Sequence, residues 1–356
     1  MKRFLFGFCA VVFSTAFLLA EDIIRYQGPE ASMTIRQQWA LREASKKVKP
    51  PFWVAYSITA VMHQNEFIGT FYTNGSNRPT LQEMILGGTF LTAAPENRKG
   101  RGLKINKEVA FLFLYRQSEA EPERIEISTL DLHFNTDGYA LIWLGHAQSG
   151  ESIQYLSDLY RKFGDEKRKQ EVIEAIGSHK SPEAVTILQS ALKESSEGIR
   201  AQAALWLGFT DNPEALNILT KFVEKEHSEE VLNEALAGIN EMEDPAGTAQ
   251  LISWAEKSQN RELRKQAIFW LGQKAIANIQ NKIKDYAFND KDTEIQKQAV
   301  VALAEMEGNA GLPQLIEIAK THPNPEVRKH AIIFLGDSGD PRARQAILEI
   351  LRLSQK

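Results

Sequence analysis

Apolar positions in the C-terminal two thirds of the chain follow the spacing of a helix face, and the whole pattern returns about every 32 residues. The return is plainest in ALIWLGH at 140–146, AALWLGF at 203–209, AIFWLGQ at 267–273 and AIIFLGD at 331–337. With the glycine of this motif as reference, the equivalent positions are Gly145, Gly177, Gly208, Asn240, Gly272, Ala304 and Gly336, separated by 32, 31, 32, 32, 32 and 32 residues. Alanine stands five residues earlier at Ala140, Ala203, Ala235, Ala267, Ala299 and Ala331, with Val172 the exception. Twelve residues before the reference come Asp165, Ser196, Ser228, Asn260, Asp292 and Asn324. Their short side chains accept hydrogen bonds from the free N–H groups of a helix start, so they predict N-caps.

Each copy then reads as a helix of about eleven residues, a break at the glycine, and a second start. Ser181-Pro182, Asn212-Pro213, Asp244-Pro245 and Asp340-Pro341 mark that start, since proline is at home in a first helical turn. Leu156, Leu188, Leu219, Leu251, Ile283, Leu315 and Ile347, eleven residues past each reference, anchor the second apolar face. One helix pair cannot bury such a face alone; stacked pairs can, and the pattern predicts an α-solenoid of seven two-helix units over 136–356. Glycine at the reference would permit a left-handed helix end, and alanine five before it would let neighbouring helices come close.

Two residues before the reference the series is Trp143, Ala175, Trp206, Gly238, Trp270, Ala302 and Phe334, so large and small side chains alternate. The unit is then a double repeat in which rings fill the space left by small neighbours, or an aromatic stripe open to a partner.

EVRKHAIIFLGDSGDPRARQAILEIL at 326–351 and IRAQAALWLGFTDNPEALNIL at 199–219 resemble HEAT repeats of the short bacterial type first named for phycobilisome lyases. The resemblance covers about 136–356 and implies a mainly α fold that serves as a binding scaffold. It weakens in the first copy, which has no cap, and around Asn240 and Ala304. Bilin attachment, known for some relatives, has no supporting motif in this sequence.

Residues 21–135 follow a different rhythm. After a helix at about Ser32 to Lys47, the stretches 52–61, 67–73, 108–116 and 124–134 are rich in β-branched and aromatic residues and are separated by turn signals such as Asn74-Gly75 and Glu121-Pro122. They predict a small β-rich (α+β) domain, with a hairpin from the last two stretches, that caps the first helical repeat.

Charge and targeting signals narrow the function. Lys2 and Arg3 precede an apolar run that ends at Ala20, the layout of a secretory signal peptide over 1–20, with cleavage after Ala16 or retention as an anchor as alternatives. Export to the periplasm or beyond is expected, with no stable membrane span once the signal is cleaved. The one cysteine, Cys9, lies in that segment, so disulfides, zinc-thiolate sites and cysteine nucleophiles are excluded from the mature chain. The formal charge of −4 argues against nucleic acid, whose phosphates demand a cationic surface. His63, His133, His146, His179, His227, His322 and His330 are scattered, with His133 and His146 the pair nearest the domain junction. No catalytic, cofactor-binding or metal-ligating set is legible, and Gly87-Gly88 is too short to cradle a phosphate.

Two basic features remain. Arg98, Lys99, Arg101, Lys104 and Lys107 read as a solvated loop, or else as a site for anionic partners or membrane headgroups. Lys169, Arg200, Arg264, Lys265, Lys297, Arg328 and Lys329 form a row near the starts of the first helices. In HEAT-like repeats an arginine at this place commonly pairs with an acidic loop residue of a neighbouring copy, for which Asp211, Asp244 and Asp340 are the candidates; otherwise the row docks an acidic protein. The expected function is therefore an exported adaptor or scaffold of the cell envelope that is not an enzyme. Its partner would be a protein held on the solenoid, with Arg200, Arg264, Lys265, Lys297, Arg328 and Lys329 as the candidate contacts. The alternative is an enzyme, or a lyase-like specificity subunit, with its active site in the N-terminal domain.

Overall fold

The computed structural model describes residues 23–69, 80–86, 102–117, 121–210, 212–274 and 278–353. The expected signal segment, Cys9, Asn74-Gly75, Gly87-Gly88, Arg98, Lys99, Arg101 and Asp211 lie outside them. The chain forms two compact units that divide between residues 148 and 149.

The first unit is a mixed five-stranded sheet of order β1-β5-β2-β3-β4, built from β1 (Ile23–Arg25), β2 (Phe52–His63), β3 (Lys104–Tyr115), β4 (Arg124–Thr129) and β5 (Ala140–His146). The expected hairpin is present as the antiparallel pair β3–β4. Helix α1 (Met33–Lys47) starts after Ser32, as its sequence predicts. The pleat of β2 and β3 puts Phe52, Val54, Tyr56, Phe111, Phe113 and Tyr115 on one face, where Tyr56 lies 5.4 Å from Phe111 and 5.8 Å from Phe113 between ring centroids. The opposite face gathers Trp53, Ala55, Leu112 and Leu141 with Phe134 and the short α2 (Leu81–Leu86). Residues 67–69, expected to begin a strand, are outside any strand, and the rest of that stretch is not described.

The first echo of the repeat motif is not a helix. ALIWLGH is β5, a strand held in parallel between β1 and β2. A strand flanked on both sides and covered on both faces carries an unbroken apolar run, and Leu141, Ile142 and Leu144 are buried in that way. The missing cap has its counterpart in the structure: Asp137 and Gly138 enter β5 through a turn with positive φ at both residues. Gly145 has φ +85 next to an irregularity in the β2–β5 register, where a glycine is needed. Among the described residues the solenoid therefore contains six complete pairs, not seven, and the strand extends the first unit beyond residue 135 to 148.

The second unit opens with α3 (Ser149–Lys162), which stands where the second helix of the first copy was expected. The pairs follow as α4 (Glu166–Gly177) with α5 (Pro182–Ala191), α6 (Glu197–Phe209) with α7 (Pro213–Val223), and α8 (Glu229–Glu241) with α9 (Pro245–Lys257). They continue as α10 (Arg261–Gln273) with α11 (Ile279–Asn289), α12 (Thr293–Ala304) with α13 (Leu312–Thr321), and α14 (Pro325–Asp337) with α15 (Pro341–Leu353). All six predicted first-helix caps accept a backbone N–H: Asp165, Ser196, Ser228, Asn260, Asp292 and Asn324. Ser181, Asn212, Asp244 and Asp340 do the same for the second helices. The expected alanines Ala203, Ala235, Ala267, Ala299 and Ala331 are fully buried in one continuous core that runs from Ile173 to Ala343.

The reference glycine has another role than the expected one. Gly177, Gly208, Gly272 and Gly336 lie within their helices and have no left-handed φ. What excludes a side chain at Gly208 is the next first helix, because a Cβ would sit 2.1 Å from the carbonyl carbon of Gly238. At Gly272 it would meet the Ala302 oxygen at 2.8 Å, whereas at Gly177 it would meet Trp206 at 2.7 Å. Small-on-small contacts thus join α6 to α8 and α10 to α12, and a tryptophan spans the step from α4 to α6. This is the double period of the sequence in three dimensions.

Candidate partner-binding face

Two arginines of the basic row, Arg200 and Arg264, hold successive repeats together. Arg200 donates from Nη1 to the carbonyls of Glu194 and Ser195 at 3.1 and 3.0 Å in its own entry loop, and from Nε to Glu226 of the next loop at 2.8 Å. Arg264 pairs with Asp290 at the same 26-residue offset, both side chains being at most 20% exposed. Gln296 reaches its own entry loop at the Asp290 carbonyl, 2.8 Å, and Arg328 reaches the His322 and Pro323 carbonyls at 2.6 and 3.0 Å. Arg200, Gln296 and Arg328 thus tie the loop that enters their own helix, and Arg200 and Arg264 tie the following loop. The acidic partners are thus Glu226 and Asp290 instead of Asp244 and Asp340, which cap α9 and pair with Arg342. Lys265 and Lys297 pair with Glu262 and Glu294 three residues before them, and Lys329 is exposed.

A further row, not marked by the repeat motif, lies between these charges. With −1, −4 and −5 turned inward, helical geometry leaves positions −10, −7, −6, −3 and +1 from the reference on the solvent side of each first helix. Glutamates occupy −10 at Glu230, Glu262, Glu294 and Glu326, and lysines occupy −7 at Lys265, Lys297 and Lys329. Position −3 is apolar from α6 onward: Leu205, Ala237, Phe269, Val301 and Ile333. Leu205, Phe269 and Val301 are half-buried and Ile333 is exposed, whereas Ala237 is buried and interrupts the row at α8. Trp206, Trp270 and Phe334 flank that row, also half-buried, so they serve the core with one edge and the surface with the other. The rings of Trp206 and Phe209 lie 5.3 Å apart, as do those of Phe269 and Trp270. The Trp270 indole N–H donates to Asn233 at 3.1 Å. Period alone marks these positions as exposed; their apolar character is the signal that could have found them.

Elsewhere polar groups serve structure. His179 is buried; its Nδ1–H donates to the Ala175 carbonyl and its Nε2 accepts from Ser152, both at 2.8 Å. Burial lowers its pKa to about 4. His322 lies buried against the Ala287 carbonyl at 2.8 Å. In the sheet, Glu108 accepts from Ser57 at 2.7 Å and Thr59 at 2.6 Å, and Thr59 lies 3.0 Å from Nε2 of His146. Carboxylate and hydroxyl are thus on the same nitrogen of the ring, which is not the order of a nucleophile–imidazole–carboxylate relay. His133 has other neighbours, pairing by backbone with Thr80. Lys107, expected in a solvated loop, is buried in β3 over the Phe67 ring and donates to the Glu66 carbonyl at 2.7 Å. Among the described residues there is no group of three or more His, Cys, Asp or Glu that could hold a metal, and no helix long and apolar enough to cross a membrane.

A family model of HEAT repeats matches residues 153–240, 248–321 and 282–356, more than half of the chain. No curated protein matches the sequence. Among solved structures, human deoxyhypusine hydroxylase in complex with glycerol is similar at 15% identity and a TM-score of 0.30, over 58% of this chain and 95% of that one. The CpcE–CpcF complex of phycocyanin lyase from Nostoc sp. PCC7120 is similar at 14% identity and a TM-score of 0.25, over 51% of this chain and 97% of that one. An engineered protein matches at 17% identity and 0.26, over 55% and 97%. At such scores nothing of those proteins' activities carries over.

Proposed function

The chain belongs to the HEAT-repeat family, and on that footing we propose that it is a binding scaffold, not an enzyme, which holds a segment of a partner protein across the solvent side of its first helices. The observation that carries this reading is the apolar row Leu205, Phe269, Val301 and Ile333, interrupted at the buried Ala237, lined by half-buried aromatics and bordered by charge. Apolar surface repeated in register on successive helices is what a partner's anchors require. Packed helices lie about 8–10 Å apart. A helix that crosses them presents every seventh residue at about 10.5 Å, and a chain in the polyproline II conformation every third at about 9 Å. Either segment could set one apolar side chain on each repeat.

Export and a place in the cell envelope belong to the same proposal. Their support is the basic start and apolar run of residues 1–20. N-terminal sequencing of the protein recovered from fractionated cells checks them, with a mature start after Ala16 or Ala20 expected.

The binding reading is tested by placing a photoreactive phenylalanine analogue at Leu205, Phe269 or Ile333 in intact cells, with Gln189 on α5 as control. One and the same protein should be captured from the three positions and not from the control, and Phe269→Glu with Ile333→Glu should abolish capture. Equal capture from Gln189, or none from the row, removes the basis of the proposal.

A further inference from the structure

The last aromatic of the alternating series differs from the others, and a cleft lies beside it. Trp206 and Trp270 occupy the position two before the reference in α6 and α10, whereas α14 has Phe334. Around that smaller ring a cleft of about 130 Å³, open to solvent, is lined by Leu303, Leu312, Leu315, Ala304 and Phe334 and bordered by Glu305, Asn309, Asp337 and Ser338. The leucines are buried and form the floor; Glu305 and Asp337 are exposed and stand at the mouth. Neither carboxylate makes an ion pair or hydrogen bond with another described side chain. Helices α12 and α14 both end at this place, at Ala304 and Asp337, so two sets of terminal carbonyls add partial negative charge. The cleft lies beside the apolar row, between the helices that carry Val301 and Ile333.

We propose that this cleft receives a lysine or arginine side chain of the segment bound along the first helices. The aliphatic stem lies on the leucines and Phe334, and the cationic head ends between Glu305 and Asp337. A basic side chain divides its surface in this way, apolar along the stem and charged at the tip. A wholly apolar anchor would leave the carboxylates desolvated and unpaired, and an acidic one would be repelled. The assignment rests on the scaffold reading and adds the chemistry of one anchor: the partner carries a basic residue next to the apolar residue that meets Ile333.

The test uses the full chain with labelled leucine methyl groups and, as probes, N-acetyl-arginine methylamide, its lysine counterpart and the neutral citrulline analogue. The two cationic probes should shift the signals of Leu303, Leu312 and Leu315 at millimolar concentration, with citrulline about tenfold weaker. Glu305→Gln with Asp337→Asn should abolish the difference. Phe334→Trp, which places there the tryptophan found in α6 and α10, should fill the cleft and remove the response while the helical signal is kept. Equal shifts from citrulline and arginine, or a full response in Phe334→Trp, overturn the assignment. Capture from Leu205 and Phe269 without any arginine response overturns the cleft alone; an arginine response without capture overturns the scaffold reading instead.

Discussion

His179 shows how one side chain can be fixed by what surrounds it. With Nδ1–H given to a carbonyl and Nε2 occupied by Ser152, the imidazole is held neutral, and burial takes its pKa from 6.5 to about 4. The unfolded chain therefore binds a proton between those values that the folded chain refuses. The contribution to stability is whole above about pH 6.5 and is lost as pH falls toward 4, by about 3 kcal/mol in all. Chemical denaturation at pH 7 and pH 4.5 should show this fall in the native protein and a shallower one in His179→Gln. Identical slopes would mean that other groups set the pH dependence. None of this is visible in the sequence, where His179 is one histidine among seven.

Among helices, the repeated glycine changes its meaning with its neighbour. Gly208 lies against the Gly238 backbone, whereas Gly336 has nothing within 4 Å of where a Cβ would stand. Gly208→Ala should therefore cost about 3 kcal/mol by forcing two helices apart, while Gly336→Ala should add about 0.5–1 kcal/mol through helix propensity. Melting curves of the two variants decide the matter: shifts of the same sign would refute the packing account. The helix starts were legible because a cap is a local matter of one side chain and the backbone just ahead of it. The strand β5 was not, since Ala-Leu-Ile-Trp-Leu-Gly suits a buried strand as well as a packed helix. Pairing with β1 and β2, residues far away in sequence, decided it. Arg200 and Arg264 were legible as ties between repeats, but their partners were not, because the 26-residue reach to Glu226 and Asp290 depends on where each loop ends in space.

At the scale of the whole molecule, the second unit behaves as a line of neighbours, each pair resting on the two beside it. Leu351 is exposed, whereas Val223, Ala255, Ala287 and Ala319 at the equivalent position are buried by the following pair. Amide exchange should accordingly be slowest in the first helices α6 to α12 and fastest in α15, with α14 between them. Uniform protection along the array would contradict that picture.

The sequence by itself determined the period, the helix starts, the buried alanines and the family, because each of these is written in spacings of a few residues or in their exact repetition. Tertiary structure decided which echo became a strand, which glycine is irreplaceable, which arginines are spent on the stack, and that an apolar row and an acid-edged cleft stay open at the surface. Those outcomes depend on which distant segment arrives at a given side chain, and a linear pattern of apolar and polar positions records the preference of each residue but not the identity of its neighbour.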